Sequence, residues 1–146
     1  LFRSIHLSFM IALNALCISD FPKFVEWFID LQKEYNHPIN LRGSQVVYPI
    51  WLSPTILTEE YADFIIEAKN QIDSNKLDDK FYLYGDWTKY SKQLDNVING
   101  IKHPEKNSIA RKEFCDKIDL LCKRRNLNFE KTFPEMMDFY KLCKSI

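Results

Sequence analysis

The side chains best suited to chemistry are few in this sequence, and their spacing restricts them further. Three histidines, His6, His37 and His103, stand far apart along the chain. His37 and His103 each precede a proline, a position restricted to extended or turn backbone, so both read as turn residues. His6 falls at the start of a strand pattern, the end that does not form sites in parallel sheets. The four cysteines, Cys17, Cys115, Cys122 and Cys143, form neither a C-x-x-C pair nor a disulfide framework. There is no glycine-rich phosphate loop and no H-E-x-x-H, and the whole chain has three glycines. No residue reads as catalytic and no set of residues reads as a metal site. What remains is a group of neutral polar and aromatic side chains suited to ligand contact. Asn14 lies near the C-terminal end of a buried strand, where it either caps the turn or reaches a ligand. Gln45, Val47, Tyr48 and Pro49 lie at the end of the next strand, with Trp51 just beyond. An aromatic beside a proline either packs or stacks on a flat ring.

The elements that must position these residues are legible from periodicity. From Ser4 to Leu16, Ile5, Leu7, Phe9, Ile11 and Leu13 alternate with His6, Ser8, Met10, Ala12 and Asn14. The second set is mixed rather than polar, which predicts a strand over 5–14 covered on both faces. Ser19 or Asp20 caps a helix over 20–35, with Pro22 in its first turn and Phe21, Phe24, Val25, Phe28 and Leu31 on one stripe. Asn36-His37-Pro38 ends it. A second strand over 41–48 carries Val46 and Val47 and stops at Tyr48-Pro49, because proline has no N–H for the ladder. An apolar loop closed by Ser53-Pro54 leads to Thr58, the expected N-cap of a helix over 58–73 with Glu59 and Glu60 in its first turn. The order β-α-β-α implies parallel strands with right-handed crossovers and places ligand contacts at the strand ends.

Beyond Ser74 the pattern becomes helical. Residues 76–80 form a charged connection, and Phe81-Tyr82-Leu83-Tyr84 is a short aromatic run, read as a satellite strand or apolar connection. Asp86 caps a helix with Trp87, Tyr90, Leu94, Val97, Ile98 and Ile101 on one face, closed by Gly100 and Pro104. Asn107 or Ser108 starts another, carrying Phe114, Ile118, Leu121 and Cys122 and ending in the basic cluster Lys123-Arg124-Arg125, which suits a helix C-terminus. Thr132 and Glu135 predict a capping box for the last helix, whose buried side is Met136, Met137, Tyr140 and Cys143. That helix is expected to pack back onto the α/β unit.

Length and composition bound the function. With 146 residues, 46% hydrophobic and 14% aromatic, the chain can build a core. Twenty basic residues balance twenty acidic ones, so no electrostatic attraction draws it to nucleic acid or to an anionic membrane. The apolar run from Ile5 to Ile18 is too short and too interrupted to span a bilayer or serve as a signal. Cysteine usage fits a reducing cytoplasm. The chain opens on leucine and directly on a strand pattern, which reads as part of a longer protein whose start lies upstream.

The succession of parts resembles the C-terminal half of a radical S-adenosylmethionine enzyme of the twitch-domain-containing kind found in phage and marine bacterial genomes. The resemblance rests on Ser8 to Asn14 followed by the helix with Phe24 to Trp27, on Gln45-Val46-Val47-Tyr48-Pro49 and on Leu52-Ser53-Pro54-Thr55-Ile56-Leu57. The closing Arg124-Arg125 and Thr132-Phe133-Pro134-Glu135 complete it. It implies an α/β fold in which residues 1–75 are the last β-α-β-α units of a partial βα barrel and residues 76–146 a helical C-terminal extension. The full-length protein would use S-adenosylmethionine and a [4Fe–4S] cluster to generate a 5′-deoxyadenosyl radical for hydrogen abstraction. The cluster cysteines would belong to an N-terminal barrel half missing here, so this part alone would be inactive and bind no cluster. Asn14, Gln45, Val47, Tyr48 and Pro49 would line the cofactor or substrate side, the substrate being a peptide or a small molecule. The competing expectation is a non-catalytic α/β interaction module in which Trp27, Trp51 and Trp87 serve packing and partner contact.

Overall fold

A computed structural model describes residues 7–35, 39–75, 87–103 and 107–146. The protein is a mixed α/β structure, mostly helical, around a two-stranded parallel sheet. Strand β1 (Leu7–Leu13) leads through helix α1 (Phe21–Tyr35) to strand β2 (Ile39–Gln45). The strands pair in parallel from Leu7 opposite Ile39 to Leu13 opposite Gln45. One further bond, from the Val46 N–H to the Leu13 carbonyl at 2.8 Å, extends the ladder past β2. Within α1, Phe24 N–H donates to the Asp20 carbonyl, while the Asp20 carboxylate pairs with Lys23.

The sheet has one covered face. Leu13, Ile39 and Leu41 are buried, and Phe9 packs edge-on against Phe28 and Trp27 of α1, both with ring centroids 5.7 Å away. Ser8, Met10, Ala12, Arg42 and Ser44 point the other way and are exposed, Met10 by 84%. The expectation of a first strand covered on both faces is therefore corrected. Alternation separates the two sets, and no described element packs over the second one.

Beyond β2 the chain forms 3-10 turns at Ile50–Leu52, Pro54–Ile56 and Glu59–Tyr61 before helix α2 (Ala62–Ser74). Thr58 thus begins a 3-10 turn, with its hydroxyl turned to Glu60 and not to a helical N–H. Helix α2 buries Ile65, Ala68 and Ile72 and packs against α1 and against helix α3 (Trp87–Lys102). In α3 the expected stripe is present, with Tyr90, Leu94, Val97 and Ile101 buried. Gly100 does not end that helix. It lies inside it, where a Cβ would meet Thr55 Cγ2 at 2.7 Å. Helix α4 (Ser108–Arg125) ends at Asn126 in the left-handed region, with the three basic residues in its last turn.

The expected capping box at Thr132 and Glu135 is absent. Thr132 closes a short helix α5 (Phe129–Thr132), and its hydroxyl donates to the Asn128 carbonyl. Asn128 caps that helix instead, accepting from Lys131 N–H at 2.9 Å. Glu135 is drawn away to Ser19. A 3-10 turn at Pro134–Met136 then leads into helix α6 (Met137–Lys144). This tail does pack onto the α/β unit. Phe139 meets Tyr61 at 6.0 Å and Phe114 at 5.4 Å, and the Tyr61 hydroxyl donates to the Glu135 carbonyl. Met136, Phe139 and Cys143 are buried in the same core as Leu13 and Val25. His6, His37, the 76–80 connection, Phe81 to Tyr84 and Asp86 lie outside the described residues, as do the side chains of Leu7, Asn40 and Trp87.

Candidate functional site at the strand ends

Asn14 follows β1 and is held by its own turn. Its Oδ1 accepts from Leu16 N–H at 3.0 Å, and its Nδ2 donates to the Ala12 carbonyl at 3.2 Å. Its backbone N–H donates to Cys17 Sγ at 3.2 Å, closing a capping box around the 3-10 turn Ala15–Cys17. Both ends of the Asn14 side chain are thus engaged in capping. Burial pushes the Cys17 thiol up, opposed by its backbone hydrogen bonds.

The residues after β2 diverge. Tyr48 is 89% exposed, so it does not pack beside Pro49, and the peptide between them is cis. Val47 is also exposed, and Trp51 is half-buried. The following loop is held by helix α4. Arg111 donates from Nε to the Ile56 carbonyl at 2.7 Å and from Nη2 to the Leu57 carbonyl at 3.3 Å, while Asn107 Nδ2 donates to the Thr55 carbonyl at 2.8 Å. These donors satisfy carbonyls that two consecutive 3-10 turns leave without strand or helix partners.

A cavity of about 250 Å³ opens between the end of β2 and α3. Gly43, Ser44, Gln45 and Val47 line one side, and Leu13 closes it from β1. Tyr90, Gln93, Leu94, Asn96 and Val97 line the other. Among the described residues, no lining residue carries a charge. Two polar atoms of these residues, Gln45 Oε1 and the Tyr90 hydroxyl oxygen, are sealed from solvent and have no hydrogen-bond partner. Burial, reinforced by the nearby Cys17 thiol, raises the Tyr90 hydroxyl well above the usual tyrosine range. Of the residues expected at the site, the cavity gathers Gln45 and Val47 and leaves out Asn14, Tyr48 and Pro49. Sequence reasoning placed Tyr90 in the core and passed over Gln93 and Asn96. The available signal was Gly43, a glycine inside a strand, which marks the close approach of another group.

The described cysteines do not fit an iron–sulfur cluster. Cys115 and Cys143 are buried on α4 and α6, Cys17 belongs to the turn after β1, and Cys122 is half-buried further along α4. Among the described residues no three or more His, Cys, Asp or Glu side chains converge to hold a metal ion. No described helix is long and apolar enough to cross a membrane. Comparison with protein-family models, curated proteins and solved structures finds no match for this chain.

Proposed function

We propose that this chain is the closing part of a partial βα barrel whose strand ends form one wall of a ligand cavity, within a radical S-adenosylmethionine enzyme. The observation that carries the reading is the parallel β1–β2 pair, covered by α1 on one face and bare on the other. A barrel wall has this layering, with helices outside and the other face of the sheet turned inward. Ser8, Met10, Ala12, Arg42 and Ser44 would be the inward set, and Asn14, Tyr48 and Pro49 would stand at its rim. The upstream strands would pair along the free edge of β1 and bring the cluster cysteines with them. This chain would then position cofactor or substrate and exclude water. The cofactor would supply the radical chemistry. The four free thiols support a reducing cytoplasmic setting.

The alternative is an interaction module. It draws support from exposed Val47, Tyr48 and Ile50 in one short stretch, an apolar patch that a partner could cover. The coding sequence upstream separates the two. A C-x-x-x-C-x-x-C segment there, with 5′-deoxyadenosine formed by the longer protein after anaerobic reconstitution, is the result expected from the barrel reading. A longer protein without that segment, or one that forms no cluster, would sink it. The present chain, treated with iron and sulfide alone, should stay colourless and release no 5′-deoxyadenosine.

A further inference from the structure

We propose that Cys115 of α4 and Cys143 of α6 are a thiol pair that a peroxide oxidises to a disulfide, clamping α6 onto α4. The inference stands apart from the barrel reading, since neither helix belongs to the β-α-β-α unit. Contacts on either side of the two sulfurs fix the register of the helices. The Cys115 thiol donates to the Tyr140 carbonyl at 3.5 Å, one turn before Cys143. Asp119, one turn after Cys115, pairs with Lys144 and accepts from the Tyr140 hydroxyl. Phe114 meets Phe139 with ring centroids 5.4 Å apart on the adjoining turn. The two thiols stand between these contacts and hydrogen-bond each other. Both are free and buried, Cys115 4% and Cys143 2% exposed.

Oxidation of this kind needs one thiol to attack and a second to resolve. The surroundings separate those roles. Burial raises the Cys115 thiol, and the Asp119 and Asp116 carboxylates add to this, while the Lys144 ammonium and the bond from Cys143 oppose it. The same bond has the opposite effect on Cys143. Burial and the neighbouring Cys115 push that thiol up to about 12, against the pull of Arg111. Cys115 is therefore the more readily ionised sulfur and the one that attacks. Its thiolate breaks the O–O bond of hydrogen peroxide and keeps one oxygen as a sulfenic acid, while the other leaves as water. The Cys143 sulfur then displaces the retained oxygen as a second water, forming the S–S bond. Two electrons pass from the sulfurs to the peroxide, and both thiol protons end in the waters. Access comes through α6, a helix of eight residues in which exposed Lys141, Leu142 and Lys144 flank Cys143. So short a helix, held along one face, opens locally at less cost than the whole protein unfolds.

The test is treatment of the full chain with hydrogen peroxide, blocking of the remaining thiols with N-ethylmaleimide, tryptic digestion and mass spectrometry. One disulfide should join the peptide 113–117 to the peptide 142–144, released by cleavage after Lys112, Lys117, Lys141 and Lys144. Dithiothreitol should part them, and Cys17 and Cys122 should stay outside the link. In urea, loop closure alone governs pairing, so the short loop between Cys115 and Cys122 should dominate instead. Cys143→Ser should leave a Cys115 sulfenic acid that dimedone traps, whereas Cys115→Ser should leave Cys143 unlabelled. The linked protein should melt about 4 °C or more above the reduced one, because the bond restricts the unfolded chain. Absence of the linked peptide, the same pairing in urea, dimedone on Cys143 of the Cys115→Ser protein, or a melting temperature that does not rise would each overturn the proposal.

Discussion

Gly43 of β2 and Tyr90 of α3 are in such close approach that a Cβ on Gly43 would lie 2.4 Å from Tyr90 Cε2 and 2.6 Å from the hydroxyl oxygen. The absence of a side chain on the strand is what lets α3 settle beside it and gives the cavity its wall. Gly43→Ala should therefore destabilise the protein by about 1–3 kcal/mol, as overpacking does in a buried contact. Pairing it with Tyr90→Ala should recover part of that loss, since the two changes meet at one contact. Urea denaturation of the two single variants and the double variant gives the coupling directly, and strictly additive effects would contradict the close approach.

Arg111 ties α4 to the loop after β2 through the Ile56 and Leu57 carbonyls, and its guanidinium also lies 5.9 Å from the Phe139 ring centroid. Removing it strands two carbonyls and loosens the contact with α6. Arg111→Ala should cost about 1.5–3 kcal/mol, the range for hydrogen bonds to a charged group. Arg111→Lys should recover little of this, because an ammonium lacks the planar fork that reaches both oxygens. Thermal denaturation checks the order wild type, Lys, Ala.

Asn14→Ala should remove the cap of the Ala15–Cys17 turn and lower stability by about 0.5–2 kcal/mol. Asn14→Asp keeps the acceptor for Leu16 N–H but loses the donor to the Ala12 carbonyl, so it should fall between Asn14→Ala and wild type. An Asn14→Ala protein with an unchanged denaturation midpoint would mean that capping is not what this side chain does.

Burial, with the carboxylates of Glu60, Asp138 and Glu135 adding to it, pushes the Tyr61 hydroxyl up to about 12. Its folded value is thus above its unfolded value near 10. The neutral hydroxyl contributes stability fully below pH ~10, and that contribution is lost as pH rises towards 12. Burial likewise carries the Cys143 thiol from its ordinary value near 9 up to about 12, so its contribution starts to fall about one pH unit earlier and is lost over the same climb. Tyr61→Phe should lower stability at neutral pH by breaking the bond to the Glu135 carbonyl, yet flatten the decline above pH ~10. Denaturant midpoints collected from pH 8 to 12 test this, and parallel slopes for the two proteins would refute it.

Periodicity, a property of neighbours along the chain, was enough to read β1, α1 and the α3 stripe Tyr90, Leu94, Val97 and Ile101 from the sequence. The parallel pairing followed as well, because a strand, a helix and a strand joined by short connections can hardly pair otherwise. Only the tertiary structure decided which face of the sheet is covered. Met10 and Ala12 have the composition of a buried face, but burial depends on whether another element arrives there. Local capping chemistry misled for a related reason. Thr132 and Glu135 have the right spacing for a box, yet Phe129 must sink into the core against Phe114, and Asn128 starts the helix that takes it there. The expected ligand wall was divided in the same way. Gln45 joins Tyr90 at a cavity while Tyr48 stands in solvent, because the cavity depends on α3, a helix more than forty residues further along the chain.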